Sequence, residues 1–235
     1  MPKNPVIPPK LPPQINYNNL VSDLGNARAS IARLDEVLTH LKNPRLLART
    51  FATKEAVLSS QIEGTEATMA EVFEQEAKGL APENTSKGRD ITEIINYRKA
   101  LEKGIEILKD KPLTENVIKE LHKILLYSAR GHNKGPGEFR KKLVYIAKPG
   151  LTIENATYIP PLPDEIPDLF SNLEKYIHSS EERDRLVQIA VAHYQFEAIH
   201  PFEDGNGRIG RLLISLMLYD KKFVSYPYIY LSEFF

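Results

Sequence analysis

Apolar positions recur at helical spacing along most of this chain. Leu20, Leu24, Ile31, Leu34, Leu38 and Leu41 mark a first amphipathic helix. The pattern predicts a second over about 45–64 and a third over about 68–77. Ile91, Ile94, Ile95, Leu101, Ile105 and Leu108 predict a long helix that stops before Pro112. Thr114 is placed to cap the next one, which carries Val117, Ile118, Leu121, Ile124 and Leu125 to about Ser128. Three more are expected, from Pro163 or Asp164 to Ile177, over 181–199, and over 208–220. Only 143–159 departs from the rhythm. β-Branched and aromatic residues flank Pro149-Gly150 and Glu154-Asn155 there, which predicts a short hairpin. The expected fold class is therefore all-α, with one β-hairpin.

Punctuation divides this pattern. Residues 1–15 hold six prolines (Pro2, Pro5, Pro8, Pro9, Pro12 and Pro13) and read as an extended arm. The stretch 79–88, with Pro82, Asn84 and Ser86 between Gly79 and Gly88, is the best lobe boundary. The expected organisation is an arm over 1–15, a helical region over 16–88 and a core over 89–235. No internal repeat is present at periods of 20–50 residues.

Composition narrows the function. At 235 residues the chain can bury a real core. Lys+Arg and Asp+Glu are equal at 31 each, so nothing suggests a nucleic-acid or membrane surface. There is no cysteine, hence no disulfide framework and no thiolate chemistry. No apolar run approaches the ~18 residues that span a bilayer. The first residues lack a signal-peptide core, so the expected compartment is the cytoplasm.

The chemistry is concentrated in His200-Pro201-Phe202-Glu203-Asp204-Gly205-Asn206-Gly207-Arg208-Ile209-Gly210-Arg211. His200 can act as a neutral base. Pro201 disfavours helix at His200, so the preceding helix should end there. Gly205 and Gly207, flanking Asn206, let backbone N–H groups converge on an anion, and a helix starting there adds its N-terminal dipole. Arg208 and Arg211 are three apart on that helix and could grip one polyphosphate. Asp204 is a hard oxygen ligand suited to Mg²⁺. The G-x-G-x-x-G spacing of Gly205 to Gly210 lacks the strand that a dinucleotide fold needs before it. His193, His200 and Asp204 match no zinc spacing, and His193 and His122 read as structural histidines within helices.

The run resembles the signature of the Fic (filamentation-induced-by-cAMP) family, His-Pro-Phe-x-Asp/Glu-Gly-Asn-Gly-Arg-x-x-Arg, at every specified position. Gly137-Glu138-Phe139-Arg140 is similar to the family's Gly-x-Phe-Arg element, and 144–161 to its flap. The resemblance covers most of the chain from about Ser59 onward and implies a Fic-type helical bundle. It also implies transfer of AMP from ATP to a Ser, Thr or Tyr hydroxyl of a target protein, or of the chain itself, with release of pyrophosphate. His200 would then take the hydroxyl proton and Asp204 would hold Mg²⁺. Residues Gly205, Asn206, Gly207, Arg208, Ile209, Gly210 and Arg211 would bind the nucleotide. Within that set, Arg208 would contact the β- and γ-phosphates and Arg211 would orient the γ-phosphate. Flap residues Val144, Tyr145, Ile146, Ile153, Thr157 and Tyr158 would dock the target chain by strand addition.

Ser59-Ser60-Gln61-Ile62-Glu63-Gly64 resembles the family's inhibitory motif, Ser/Thr-x-x-x-Glu-Gly/Asn. Ser59 and Glu63 are four apart, on one helical face, and Gly64 suits a helix end. The resemblance implies that Glu63 pairs with Arg211 and fills the place of the γ-phosphate. It further implies another helix, one that helps to hold the adenine, after the point where this sequence stops at Phe235. The base-binding half of the site is therefore expected to lie beyond it. Two alternatives stay open: removal of AMP or transfer of another phosphate-bearing group, and a catalytically silent nucleotide-sensing or interaction module.

Overall fold

The computed structural model describes residues 4–235 except 80, 81, 84, 130, 149, 227 and 228, so Asn84 of the boundary stretch and Pro149 of the hairpin turn lie outside the described residues. Among the described residues there are eight α-helices: α1 (Val21–Thr39), α2 (Pro44–Ile62), α3 (Met69–Lys78), α4 (Ser86–Ile107), α5 (Glu115–Leu125), α6 (Ile166–His178), α7 (Arg185–Ile199) and α8 (Asn206–Asp220).

Local chemistry sets the helix ends. Pro44 starts α2 at a position where its missing N–H is not needed. Thr68 and Glu71 form a reciprocal capping box at the head of α3. Thr85 and Thr114 cap α4 and α5 through the N–H groups of Gly88 and Val117. Two starts differ from the sequence expectation. Pro163–Glu165 forms a 3₁₀ turn that leads into α6. The carboxylate of Asp184 accepts from the Leu186 N–H at 2.8 Å, which delays α7 to Arg185.

Helix α8 lies at the centre. Every residue from Arg208 to Leu218 is buried. Helices α7, α4, α5 and α2 pack around it, and α6 covers α7. Ala52, Ala56 and Val57 of α2 share one core with Ile94, Tyr97 and Leu101 of α4 and Leu212, Leu213 and Leu216 of α8. The boundary drawn after Gly88 lies within the first turn of α4. The Pro-rich arm wraps the body. Val6 donates to the Ile159 carbonyl, buried Leu11 exchanges two backbone bonds with the Asn172 amide, and Gln195 donates to the Pro9 carbonyl.

The expected hairpin is reduced to one antiparallel bridge, Ile146 with Tyr158. A 3₁₀ turn at Ile153–Asn155 occupies the place of a return strand. One bridge cannot propagate into a ladder when the intervening residues spend their backbone bonds on local turns, as Leu151, Asn155 and Ala156 do. After α8, Ile229 and Leu231 return to the core, while Phe234 and Phe235 stay exposed.

Candidate active site

The bundle places His200 at the end of α7 in a left-handed conformation, φ 50° and ψ 61°. That region is strained for a histidine, and Pro201 helps to enforce the break. Arg140 fastens the turn. It donates to the carbonyls of His200 (2.8 Å), Pro161 (2.6 Å), Lys142 (3.1 Å) and Ile199 (3.4 Å), and its own N–H donates to the Pro201 carbonyl. Below the turn, Phe202 is fully buried and stacks on His122 with ring centroids 3.7 Å apart. The Gly137 N–H donates to His122 Nδ1. Nε2 therefore carries the proton and donates to the Asp204 carbonyl at 2.9 Å. His122 is thus a structural bracket for the loop.

Burial pushes the His200 ring down to about 4, and the Arg140 charge adds to this. The Glu197 carbonyl and the charges of Glu63 and Asp204 pull the other way. No hydrogen bond closes on the buried Nδ1. At neutral pH the imidazole is a free base.

Across from His200 stands the end of α2. Arg211 donates from Nε to Ser59 Oγ (2.7 Å), and from Nη2 to the Ser59 carbonyl (2.9 Å) and to Glu63 Oε1 (2.7 Å). Helix α2 ends at Ile62, Glu63 caps it, and Gly64 turns the chain at φ 88°. Thr65 then donates to Glu93 and the Glu66 N–H to Asp90, both on α4, which fixes the exit of the motif. The Glu63 carboxylate sits directly over Gly207. A Cβ added at Gly207 would fall 2.3 Å from Glu63 Oε1, so this glycine admits the carboxylate to the mouth of α8.

These groups line one cavity of about 460 Å³: Glu63, His200, Gly207 and Arg211, with His193, Glu197, Phe235 and flap residues Tyr145, Ile146 and Ala147. Other sequence candidates are placed elsewhere. Arg208 is buried and turned to α4, where it pairs with Glu93 at 3.1 Å and with Asp204 at 3.3 Å. It does not share the cavity with Arg211, because Glu93 supplies a buried acid on its side of the helix. The Asn206 side chain is bonded to the Phe202 backbone in both directions. Ile209 is a core side chain, and its N–H is bonded to the Gly205 carbonyl. Among the described residues, the backbone N–H groups at this mouth left without an intrahelical partner are those of the first turn, at Asn206, Gly207 and Arg208.

Asp204 is partly exposed, with its carboxylate between Arg208 and Lys134. Among the described residues no cluster of three metal-capable side chains occurs. A single carboxylate suits Mg²⁺ held mainly by substrate phosphates, not an all-protein metal cage. On the flap, Tyr145, Ile146 and Thr157 are exposed, whereas Val144, Ile153 and Tyr158 are half-buried. The Tyr158 hydroxyl donates to the Ala198 carbonyl and ties the flap to α7.

The motif that contains Arg140 does not reveal its role, and neither Glu93 nor Glu197 belongs to a sequence motif named above. The last was legible as a carboxylate one turn before His200 on the same helix face. Among the described residues, no helix is long and apolar enough to cross a membrane.

Comparison with known proteins gives the family. Residues 21–106 match the N-terminal model of the Fic/DOC family, and residues 112–218 match the Fic/DOC family model itself. A protein adenylyltransferase Fic from Drosophila mojavensis is 30% identical over 215 residues, 84% of this chain and 37% of that protein. A probable protein adenylyltransferase from Aquifex aeolicus is 35% identical over 71 residues, 30% of this chain and 22% of that one. The crystal structure of a Fic family protein from Desulfovibrio desulfuricans superposes with a TM-score of 0.68 at 27% identity, covering 92% of this chain and 61% of that one. The chain thus spans well under half the length of these curated relatives.

Proposed function

The chain belongs to the Fic/DOC family, and we propose that it is an autoinhibited protein adenylyltransferase that moves AMP from ATP to a hydroxyl of a target protein. The observation that carries this reading is the Glu63–Arg211 pair at the mouth of α8, in the same cavity as a neutral His200.

In this reading the first-turn N–H groups of α8 hold the phosphates, and Arg211 receives the terminal phosphate once Glu63 withdraws. The target hydroxyl oxygen attacks the α-phosphorus and the bond to the β-phosphate breaks. Pyrophosphate leaves, and the hydroxyl proton passes to His200. Such general-base help is worth about 10²–10⁴-fold. When bound, Mg²⁺ would neutralise phosphate charge, with Asp204 as its protein ligand. Arg208 then acts as a positioning residue that holds Asp204 against α4. The exposed edge at Tyr145 and Ile146 docks the target backbone.

The region 16–88 carries the plug and 89–235 the transfer machinery. The proposed location is the cytoplasm, where ATP is plentiful. The test uses two labels. ATP labelled at the α-phosphate should mark protein in a Glu63→Gly variant, and ATP labelled at the γ-phosphate should not. Label from the γ position would establish a different transfer, and label from neither would favour the silent module.

A further inference from the structure

Helix α7 presents three titratable residues to the cavity, His193, Glu197 and His200, at spacings of four and three. They share one face of the helix. The proposed chemistry uses only His200.

The other two, as neutral imidazole and as carboxylate, are both hydrogen-bond acceptors. His193 Nδ1 lies 3.0 Å from the Gly210 carbonyl oxygen. A carbonyl can only accept, so Nδ1 carries the proton. Burial keeps the ring below its ordinary range, so it is neutral and Nε2 is a bare acceptor. Among the described residues, Nε2 has no partner. Glu197 stands one turn along, with its carboxylate over the backbone of α8. A Cβ at Gly210 would fall 2.1 Å from Glu197 Oε1 and 3.3 Å from His193 Cε1, so a glycine is what brings both side chains to one spot. The Glu197 carboxylate also has no hydrogen bond or ion pair among the described residues. Burial pushes it up to about 7, the Arg211 charge pulls it down and the Glu63 charge pushes it up.

Two neighbouring half-buried acceptors without a protein donor among the described residues, on the wall of a cavity, suit a ligand that supplies donors. An ionised phosphate cannot, since its oxygens only accept, and its positive partners lie at the Gly207 and Arg211 side of the cavity. The target hydroxyl is already assigned to His200. A pair of adjacent hydroxyls fits, one for each acceptor. On the reading of the cavity as a nucleoside triphosphate site, we infer that His193 and Glu197 form a subsite that accepts hydrogen bonds from the vicinal hydroxyls of the ribose. This pair therefore selects ribonucleotides over deoxyribonucleotides.

The test is calorimetric titration of the full chain carrying Glu63→Gly, in Mg²⁺ and at a pH above 7 where Glu197 is ionised, with ATP, 2′-deoxy-ATP, 3′-deoxy-ATP, inosine triphosphate and inorganic tripolyphosphate. ATP should bind about 10- to 100-fold more tightly than either deoxy form, the range for a lost hydrogen bond to a charged group. Inosine triphosphate should bind like ATP. Adding Glu197→Met should bring ATP down to the level of the deoxy forms while tripolyphosphate is unchanged. The ligand series alters no protein atom, so it stands even if that variant folds poorly. Equal binding of ATP and both deoxy forms overturns the subsite, as does discrimination against both deoxy forms that survives Glu197→Met, since His193 alone can read only one hydroxyl. Weak inosine triphosphate with normal deoxy forms also overturns it, because the acceptors would then read the base amine. Failure of both ATP and tripolyphosphate to bind would bring down the triphosphate reading itself.

Discussion

Arg211 Nη2 lies 2.7 Å from Glu63 Oε1, a contact that closes 148 residues of chain. The guanidinium is nearly buried while the carboxylate is partly open to the cavity. Ser59 takes two further donors of the same guanidinium. Arg211 is therefore fixed by α2 whether or not a ligand is present, and only the Glu63 contact needs to yield.

That asymmetry separates two substitutions. Glu63→Gly removes the plug and leaves Arg211 held by Ser59, ready for a phosphate. Arg211→Ala removes the plug's anchor and the phosphate's partner together. Labelling by Arg211→Ala should stay well below that of Glu63→Gly, by at least about tenfold, the scale of one lost charge-assisted hydrogen bond. Initial rates with α-labelled ATP check this, and equal rates would break the salt-bridge account.

The acid limb of activity should lie unusually low. Burial favours the neutral His200 ring, so its pKa in the free protein falls from the ordinary 6.5 to about 4. The base form persists as pH drops through 6.5 and is lost only near 4. The kcat/KM of the Glu63→Gly variant should therefore hold across pH 6.5 and decline toward pH 4. The same shift costs stability in that window. A depressed pKa contributes stability that is present above 6.5 and lost as pH falls through about 4, and His122 moves the same way. Denaturant titrations at several pH values read this second effect separately from the rate. A limb centred at 6.5 would mean that the ring is hydrated.

Arg208 and Glu93 form an ion pair with side chains 3% and 2% exposed. Glu93→Leu leaves the buried Arg208 charge with only its 3.3 Å contact to Asp204, so it should cost up to about 3–5 kcal/mol in urea denaturation. Glu93→Leu with Arg208→Met should recover much of that loss. Additive losses in the double variant would show that the two charges do not depend on each other.

The helices were legible because their apolar positions keep a 3.6-residue rhythm, and Thr114 and Pro201 mark boundaries where the structure has them. The start of α7 was not, because rhythm alone does not reveal that the Asp184 side chain caps the helix. The hairpin was over-read. β-Branched residues report a preference for extended backbone, but pairing depends on where the N–H groups go, and here they close turns. At the site, His200, Gly207, Arg211 and Glu63 could be named from their motifs. The direction of Arg208 could not, since Arg208 and Arg211 are equally spaced candidates until Glu93 on α4 claims one of them. Arg140 likewise shows its purpose only when the carbonyls of Pro161, Ile199 and His200, distant in sequence, converge on it.

The most direct test compares four proteins under one condition: the parent chain, Glu63→Gly, His200→Ala, and the two substitutions combined, each with Mg²⁺ and α-labelled ATP. The account predicts weak label on the parent, strong label on Glu63→Gly, and none on either protein that lacks His200. Label on the double variant equal to that on Glu63→Gly would contradict it, because the transfer would then not need His200 as its base.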